Sequence, residues 1–179
     1  MAVTTLGELK GLRGNIDQAG SGVPESVQRV LQEAGLPAHA LELELTERVL
    51  VDDAADSLEV FDRLRRLGVQ LSIDDFGEGY SALNYLRRLP IHGLKLSQLF
   101  TEGVPNNRSD VAVCQAVSAI ARSLGLGLVA EGVESEAQRQ FLLNLGVPVG
   151  QGFLFAPGLS PDEFARRLAD APLERVLHA

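Results

Sequence analysis

The sequence predicts an α/β domain built as an incomplete (β/α) barrel, and three observations carry that prediction. First, strand-like and helix-like segments alternate from Pro24 onward. Alternation at this spacing means parallel strands with helices packed over them. Second, polar residues stand at the C-terminal ends of the strand segments: Glu44, Asp74, Lys95, Glu131 and Gln151. A parallel barrel gathers its ligand site at that rim. Third, five clear strand segments in 179 residues are three short of the eight in a complete barrel. An open, doubly wound sheet is the alternative. No glycine-rich nucleotide loop follows the first strand, and GEGY at 77–80 lacks the length and the lysine of a phosphate-gripping loop.

Residues 1–23 read as an irregular segment, with four glycines in GLRGNIDQAGSGVP, and residues 24–179 as one domain. PESVQRVLQEAGL places Val27, Val30, Leu31 and Ala34 on one helical face, opened by Pro24 and stopped at Gly35. In ALELELTE, Leu41, Leu43 and Leu45 alternate with Glu42, Glu44 and Thr46, the period of a strand. Residues 53–67 carry Leu58, Phe61, Leu64 and Leu67 at helical spacing. VQLSIDDFG is a strand ending in two aspartates. Residues 81–88 make a short helix before Pro90, and 93–97 a short strand. A long helix at 109–124 rests on Val113, Val117, Ile120 and Leu124 and closes at Gly125. LGLVAEG is a strand, 135–145 a helix, and VGQGFLF a strand. Ser160, Pro161 and Glu163 together open a last helix as cap, first residue and capping-box partner.

Composition excludes several classes. The formal charge is −8 and the pI about 4.9. A broad basic face for a DNA or RNA polymer is therefore not expected. Apolar runs stop well short of a membrane span, and no signal peptide pattern opens the chain, so the expected compartment is the cytoplasm. The single cysteine, Cys114, sits on an apolar helix face and reads as core. His39, His92 and His178 show no metal-ligand spacing and read as surface or loop residues.

The rim residues carry the chemistry. Asp74 and Asp75 should point to opposite faces of a strand, unless a bulge or turn there lets both reach one site. Carboxylates crowded together repel, and one stays partly protonated without a cation. Glu44 and Glu131 would add charge to the same rim, and hard divalent ions such as Mg²⁺ or Mn²⁺ take carboxylate oxygens. Lys95 would face them as a point charge for a phosphoryl oxygen. Each residue also has a plain structural reading. The aspartates can cap a turn, Glu44 can pair with a basic neighbour, and Lys95 can form a buried ion pair with a carboxylate. Gln151 lies between two glycines that leave room beside its amide. Glu47 and Glu134 read as supporting residues or as carboxylates at helix N-termini.

ELTE at 44–47, DDFGEGYSAL at 74–83, LPIHGLKL at 89–96, AEGVE at 130–134 and QGFLF at 151–155 resemble the EAL domain family. The resemblance runs from about Pro24 to about residue 170. It implies a modified (β/α) barrel that hydrolyses cyclic di-GMP to pGpG with Mg²⁺ or Mn²⁺. It implies metal binding by Glu44, Asp74, Asp75 and Glu131, and catalytic roles for Lys95, Glu131 and Glu134. Gln151 and Asp75 would complete the cofactor site, with residues 76–82 as the loop beside it. The family's Glu-Ala-Leu segment and its strand have no counterpart here. Nor does its Asn-x-Ser strand, near Leu12, Arg13 and Gly14. Its Lys-Ile-Asp reads Lys95, Leu96, Ser97, and its loop threonine is Glu78.

With three family metal-site residues absent, weakened Mg²⁺ or Mn²⁺ occupancy is the expectation. The expected function is then an N-terminally truncated, degenerate EAL-like domain with impaired catalysis. It would act as a cyclic di-GMP-binding, regulatory or protein-interaction module. The alternatives are an active phosphodiesterase and a structural remnant with no nucleotide binding. Self-association or a partner protein would cover the barrel edge left open.

Overall fold

The computed structural model describes residues 22–47, 55–79 and 86–170. The chain forms two compact units, one within residues 5–94 and one within residues 95–179. The element order is α1 (Val23–Ala34), a 3₁₀ turn (Ala38–Ala40), β1 (Glu42–Thr46), α2 (Ala55–Leu67), β2 (Gln70–Phe76), β3 (Gly93–Leu96), α3 (Gln98–Thr101), α4 (Arg108–Leu124), β4 (Gly127–Ala130), α5 (Glu136–Asn144), β5 (Val149–Gly150) and α6 (Pro161–Asp170). The strands form one five-stranded sheet in the order β1-β2-β3-β4-β5, and the β1–β2 and β4–β5 pairs are parallel. Strict sequential order is the winding of a barrel wall. A doubly wound sheet would reverse direction part-way across. Among the described residues β1 and β5 are the margins of this sheet, which is not closed. Nor is any helix among them long and apolar enough to cross a membrane.

In the first unit, β1 and β2 pair in register, Glu44 opposite Ser72 and Thr46 opposite Asp74. The alternation read from the leucines is real: Leu45 is fully buried while Glu42 and Glu44 are exposed. Helix α2 packs on β2, and Leu71 and Ile73 of the strand and Phe61 and Leu64 of the helix are all buried. Helix α1 packs on α2 and is tied to it by the Arg63–Glu25 ion pair. His92, read as a loop residue, does lie in the loop before β3 and has a local task. Its backbone N–H donates to Leu71 O at 2.8 Å, and its ring Nδ1 accepts from Leu71 N at 3.1 Å. His178 and most of the 81–88 helix lie outside the described residues.

In the second unit, Asn107 caps α4 by accepting from Ser109 N at 2.9 Å, and Gly125 closes it at φ 68°, a conformation glycine adopts without a Cβ penalty. Helix α5 opens on a full capping box between Ser135 and Gln138. The same Gln138 amide donates to Thr101 O and Glu102 O at 3.1 and 3.3 Å, which fastens the loop after β3 to α5. The capping box expected at Ser160 and Glu163 is also formed, and it holds the Glu163 carboxyl below its ordinary pKa. One expectation needs correcting. VGQGFLF is a strand only at Val149–Gly150; from Gly152 the chain turns, with Phe155 N and Ala156 N both donating to Gly152 O. The apolar run promised a strand, but Gly152 at φ 153° takes the backbone off the sheet.

Cys114 is completely buried, its thiol near Phe100 O at 3.8 Å. Burial, helped by the Asp110 charge, pushes its pKa to about 11. In the unfolded chain the thiol ionises near 9, so between pH 9 and 11 the unfolded state loses its proton first. Stability should therefore fall as pH rises through that window. At pH 8 iodoacetamide should leave the native thiol untouched and alkylate it only in denaturant, a difference mass spectrometry reads directly. Rapid native alkylation would mean that α4 opens readily.

Candidate functional site

The C-terminal end of β2 solves the problem posed by two adjacent aspartates. Asp75 adopts φ 50°, the only positive φ of a non-glycine residue among those described. Aspartate tolerates the left-handed region better than most residues, and one such residue breaks the up-down alternation of a strand. Asp74 and Asp75 therefore need not face opposite sides of the sheet. The loop that follows is held by Glu47, which is 7% exposed. Its Oε2 accepts from Gly77 N at 3.1 Å and from Gly79 N at 2.8 Å. A Cβ on Gly79 would come within 3.2 Å of that carboxylate, so glycine there lets the backbone close on it. Sequence reasoning gave Glu47 only a general supporting role. Its one signal was its place three residues beyond Glu44.

In the second unit, β3, β4 and the start of the turn after β5 bring three polar side chains together. Glu131 N donates to Leu96 O at 3.0 Å and Gln151 N to Ala130 O at 2.8 Å, so neighbouring strand ends lie side by side. Lys95 Nζ meets Glu131 Oε1 at 2.5 Å, with the two side chains only 8% and 13% exposed. Gln151 Nε2 donates to the same Oε1 at 2.5 Å. An ammonium buried this deeply requires such a carboxylate partner. Ser97, where the resemblance places an acid, is 1% exposed and accepts from Leu99 N at 3.2 Å, capping α3. Glu134 is exposed and lines an open cleft of about 470 Å³ with Gln98, Glu131, Gln151 and Phe153.

The expectation of a depleted metal site is overturned. Asp74, Asp75 and Glu131 each offer a carboxylate oxygen, and those oxygens lie within 4.8 Å of one another. Three hard, anionic donors at that spacing fit Mg²⁺ or Mn²⁺, whose radius and charge suit carboxylate oxygens. Counting absent family residues missed this, because a donor group depends on the side chains that converge. Glu44 is not a member of the three-carboxylate group; it lies on the exposed side of β1.

The EAL domain profile matches residues 13–158. The chain belongs to the EAL family. Over 159 residues it is 43% identical to the cyclic di-GMP phosphodiesterase NbdA of Pseudomonas aeruginosa, a match covering 86% of this chain and 20% of that protein. Over 162 residues it is 39% identical to the cyclic di-GMP phosphodiesterase RocR of the same organism, covering 89% of this chain and 41% of RocR. The chain thus spans well under half the length of either relative. Among solved structures, the EAL domain of Mycobacterium smegmatis DcpA superposes with a TM-score of 0.81 at 39% identity, over 87% of this chain and 70% of that one. The MucR phosphodiesterase in complex with c-di-GMP superposes with a TM-score of 0.77 at 41% identity, over 82% and 59%. These EAL likenesses establish the fold and family for nearly all of the described residues.

Proposed function

We propose that this EAL domain binds cyclic di-GMP together with a divalent cation and turns it over poorly, serving as a regulatory binding module. The observation that carries the reading is the Lys95–Glu131–Gln151 cluster beside the acidic pair at the end of β2. Asp74, Asp75 and Glu131 would hold Mg²⁺ or Mn²⁺, which supplies Lewis-acid polarisation of a phosphodiester oxygen when bound. The residues of the chain itself do the rest. Lys95 fixes the Glu131 carboxylate and offsets anionic charge. Gln151 sets the direction of the same oxygen. Glu47 holds the loop behind the aspartates in place.

Impaired turnover rests on Ser97. Its hydroxyl caps the short helix α3, so position 97 supplies no carboxylate of its own two residues beyond Lys95. Losing one oriented group at such a site costs about 10–100-fold in activity. The open margins of the sheet make pairing with a second chain part of the same reading.

The test is titration calorimetry with cyclic di-GMP in the presence of Ca²⁺, followed by chromatography for pGpG in the presence of Mn²⁺. Binding heat that vanishes in Asp74→Ala, with slow or no pGpG release, is the expected result. Rapid pGpG release abolished by Asp74→Ala would favour a working phosphodiesterase, the activity named for NbdA and RocR. No binding heat with or without metal would favour a structural remnant.

A further inference from the structure

Resting on the metal site of that reading and going beyond it, we propose that Gln138 is a positioning residue: its buried amide clamps the loop that carries Glu131 and Glu134 against the segment that follows Lys95. Gln138 is 7% exposed, and its side chain joins parts of the chain 37 residues apart. Its Oε1 accepts from Glu134 N and from Ser135 N, both at 2.8 Å. Its Nε2 donates to Thr101 O at 3.1 Å and to Glu102 O at 3.3 Å. Two backbone N–H groups on one side and two carbonyls on the other use both ends of the amide and fix which way it points.

The choice of glutamine is informative. A capping box with Ser135 asks only for a side-chain oxygen at position 138, which a glutamate supplies as well. Only an amide can also donate to the carbonyls of Thr101 and Glu102, so the residue is matched to the bridge and not to the cap alone. The bridge has a physical reason. Helix α3 is four residues long, too short to hold itself, and its last carbonyls need partners from outside the helix. Ser97 caps its first turn and Gln138 takes up its end, so the segment leaving Lys95 is fastened at both ends. Gln98, the first residue of α3, lies so close over Gly132 that a Cβ there would come 2.3 Å from Gln98 Cγ. The loop that starts at Glu131 thus meets α3 at Gly132 and, through Gln138, at Glu134. This double contact holds the backbone from which Glu131 reaches Lys95, and it sets where Glu134 enters the cleft.

Mn²⁺ alone is the probe, with its free form counted by electron paramagnetic resonance. Gln138→Glu keeps an oxygen for the cap and loses the donor for the bridge, placing a carboxylate against two carbonyls. Its Kd for Mn²⁺ should rise about tenfold, the lower end of what losing an outer partner costs a metal site. Hydrogen exchange at Glu134 N and Ser135 N should stay as slow as in the parent chain, because the cap survives. Ser135→Ala is the control. It removes the hydroxyl of the capping box, leaves the bridge to α3 in place and should bind Mn²⁺ as the parent does. Circular dichroism checks that the variants fold, and the uncharged Gln138→Met should show the same loss of affinity where Gln138→Glu does not fold. Parental Mn²⁺ affinity in the Gln138 variants would overturn the proposal and leave the proposed function standing. An equal loss in Ser135→Ala would trace the effect to a loosened α5 and overturn it too. A parent chain that takes up no Mn²⁺ would overturn the metal site of the proposed function, and this inference with it.

Discussion

Lys95→Met is expected to destabilise the protein by about 3–5 kcal/mol, the cost of stranding a buried charge whose partner has been removed. The stranded group is Glu131, 13% exposed, which loses the ammonium at 2.5 Å and keeps Asp74 and Asp75 as like-charged neighbours. Three carboxylates without a counter-charge repel one another. The loss should therefore shrink when millimolar Mg²⁺ is added, because the cation supplies what the lysine no longer does. The double variant Lys95→Met/Glu131→Gln removes both charges and should recover most of the stability. Urea denaturation followed by circular dichroism measures all three effects. A loss below about 1 kcal/mol would place the pair with the weak, solvent-screened ion pairs of protein surfaces.

Gly152→Ala should be nearly as damaging and for a different reason. The added Cβ meets Val133 N at 2.4 Å and Val133 O at 2.3 Å, both backbone atoms that cannot swing aside as a side chain would. The φ of 153° adds a conformation that L-residues avoid. Strain and overpacking each cost about 1–3 kcal/mol, so a total of about 3 kcal/mol or more is expected. The turn should open, carrying Gln151 away from Glu131. Hydrogen exchange should then show lost protection at Val133 N and Leu154 N, the two amides that bond this turn to Val133. Full protection at both, with parental stability, would mean that the turn relaxes around the methyl group without cost.

Much of the fold was legible because its signals are local. The leucines of ALELELTE keep the period of a strand, and Leu45 is buried as that period requires. The cap at Ser160 bonds to Glu163 three residues on, so its motif could be read directly. The QGFLF segment misled because its apolar run says strand, whereas the close approach of Gly152 to Val133 is a contact 19 residues distant in sequence. The site divides in the same way. Lys95 announced its need for a carboxylate by being a lysine inside an apolar strand. That the partner is Glu131, with Gln151 on the same oxygen, depends on the pairing of strand ends.

The sequence by itself determined the alternating parallel architecture, the family, and the short set of side chains from which a site can be built. The architecture and the side-chain set follow from periodicity, caps and spacing, which act over a few residues, and the family from the resemblance of its motifs. Only the tertiary structure decided that Asp75 turns out of the strand alternation and that three carboxylates come together despite the absent family residues. The same level decided that Glu47 rather than another acid holds the loop amides. The physical reason is common to all three. A charged group is tolerated at a strand end only where backbone donors, an ammonium or a cation from distant parts of the chain compensate it, and those distances exist only once the chain has folded.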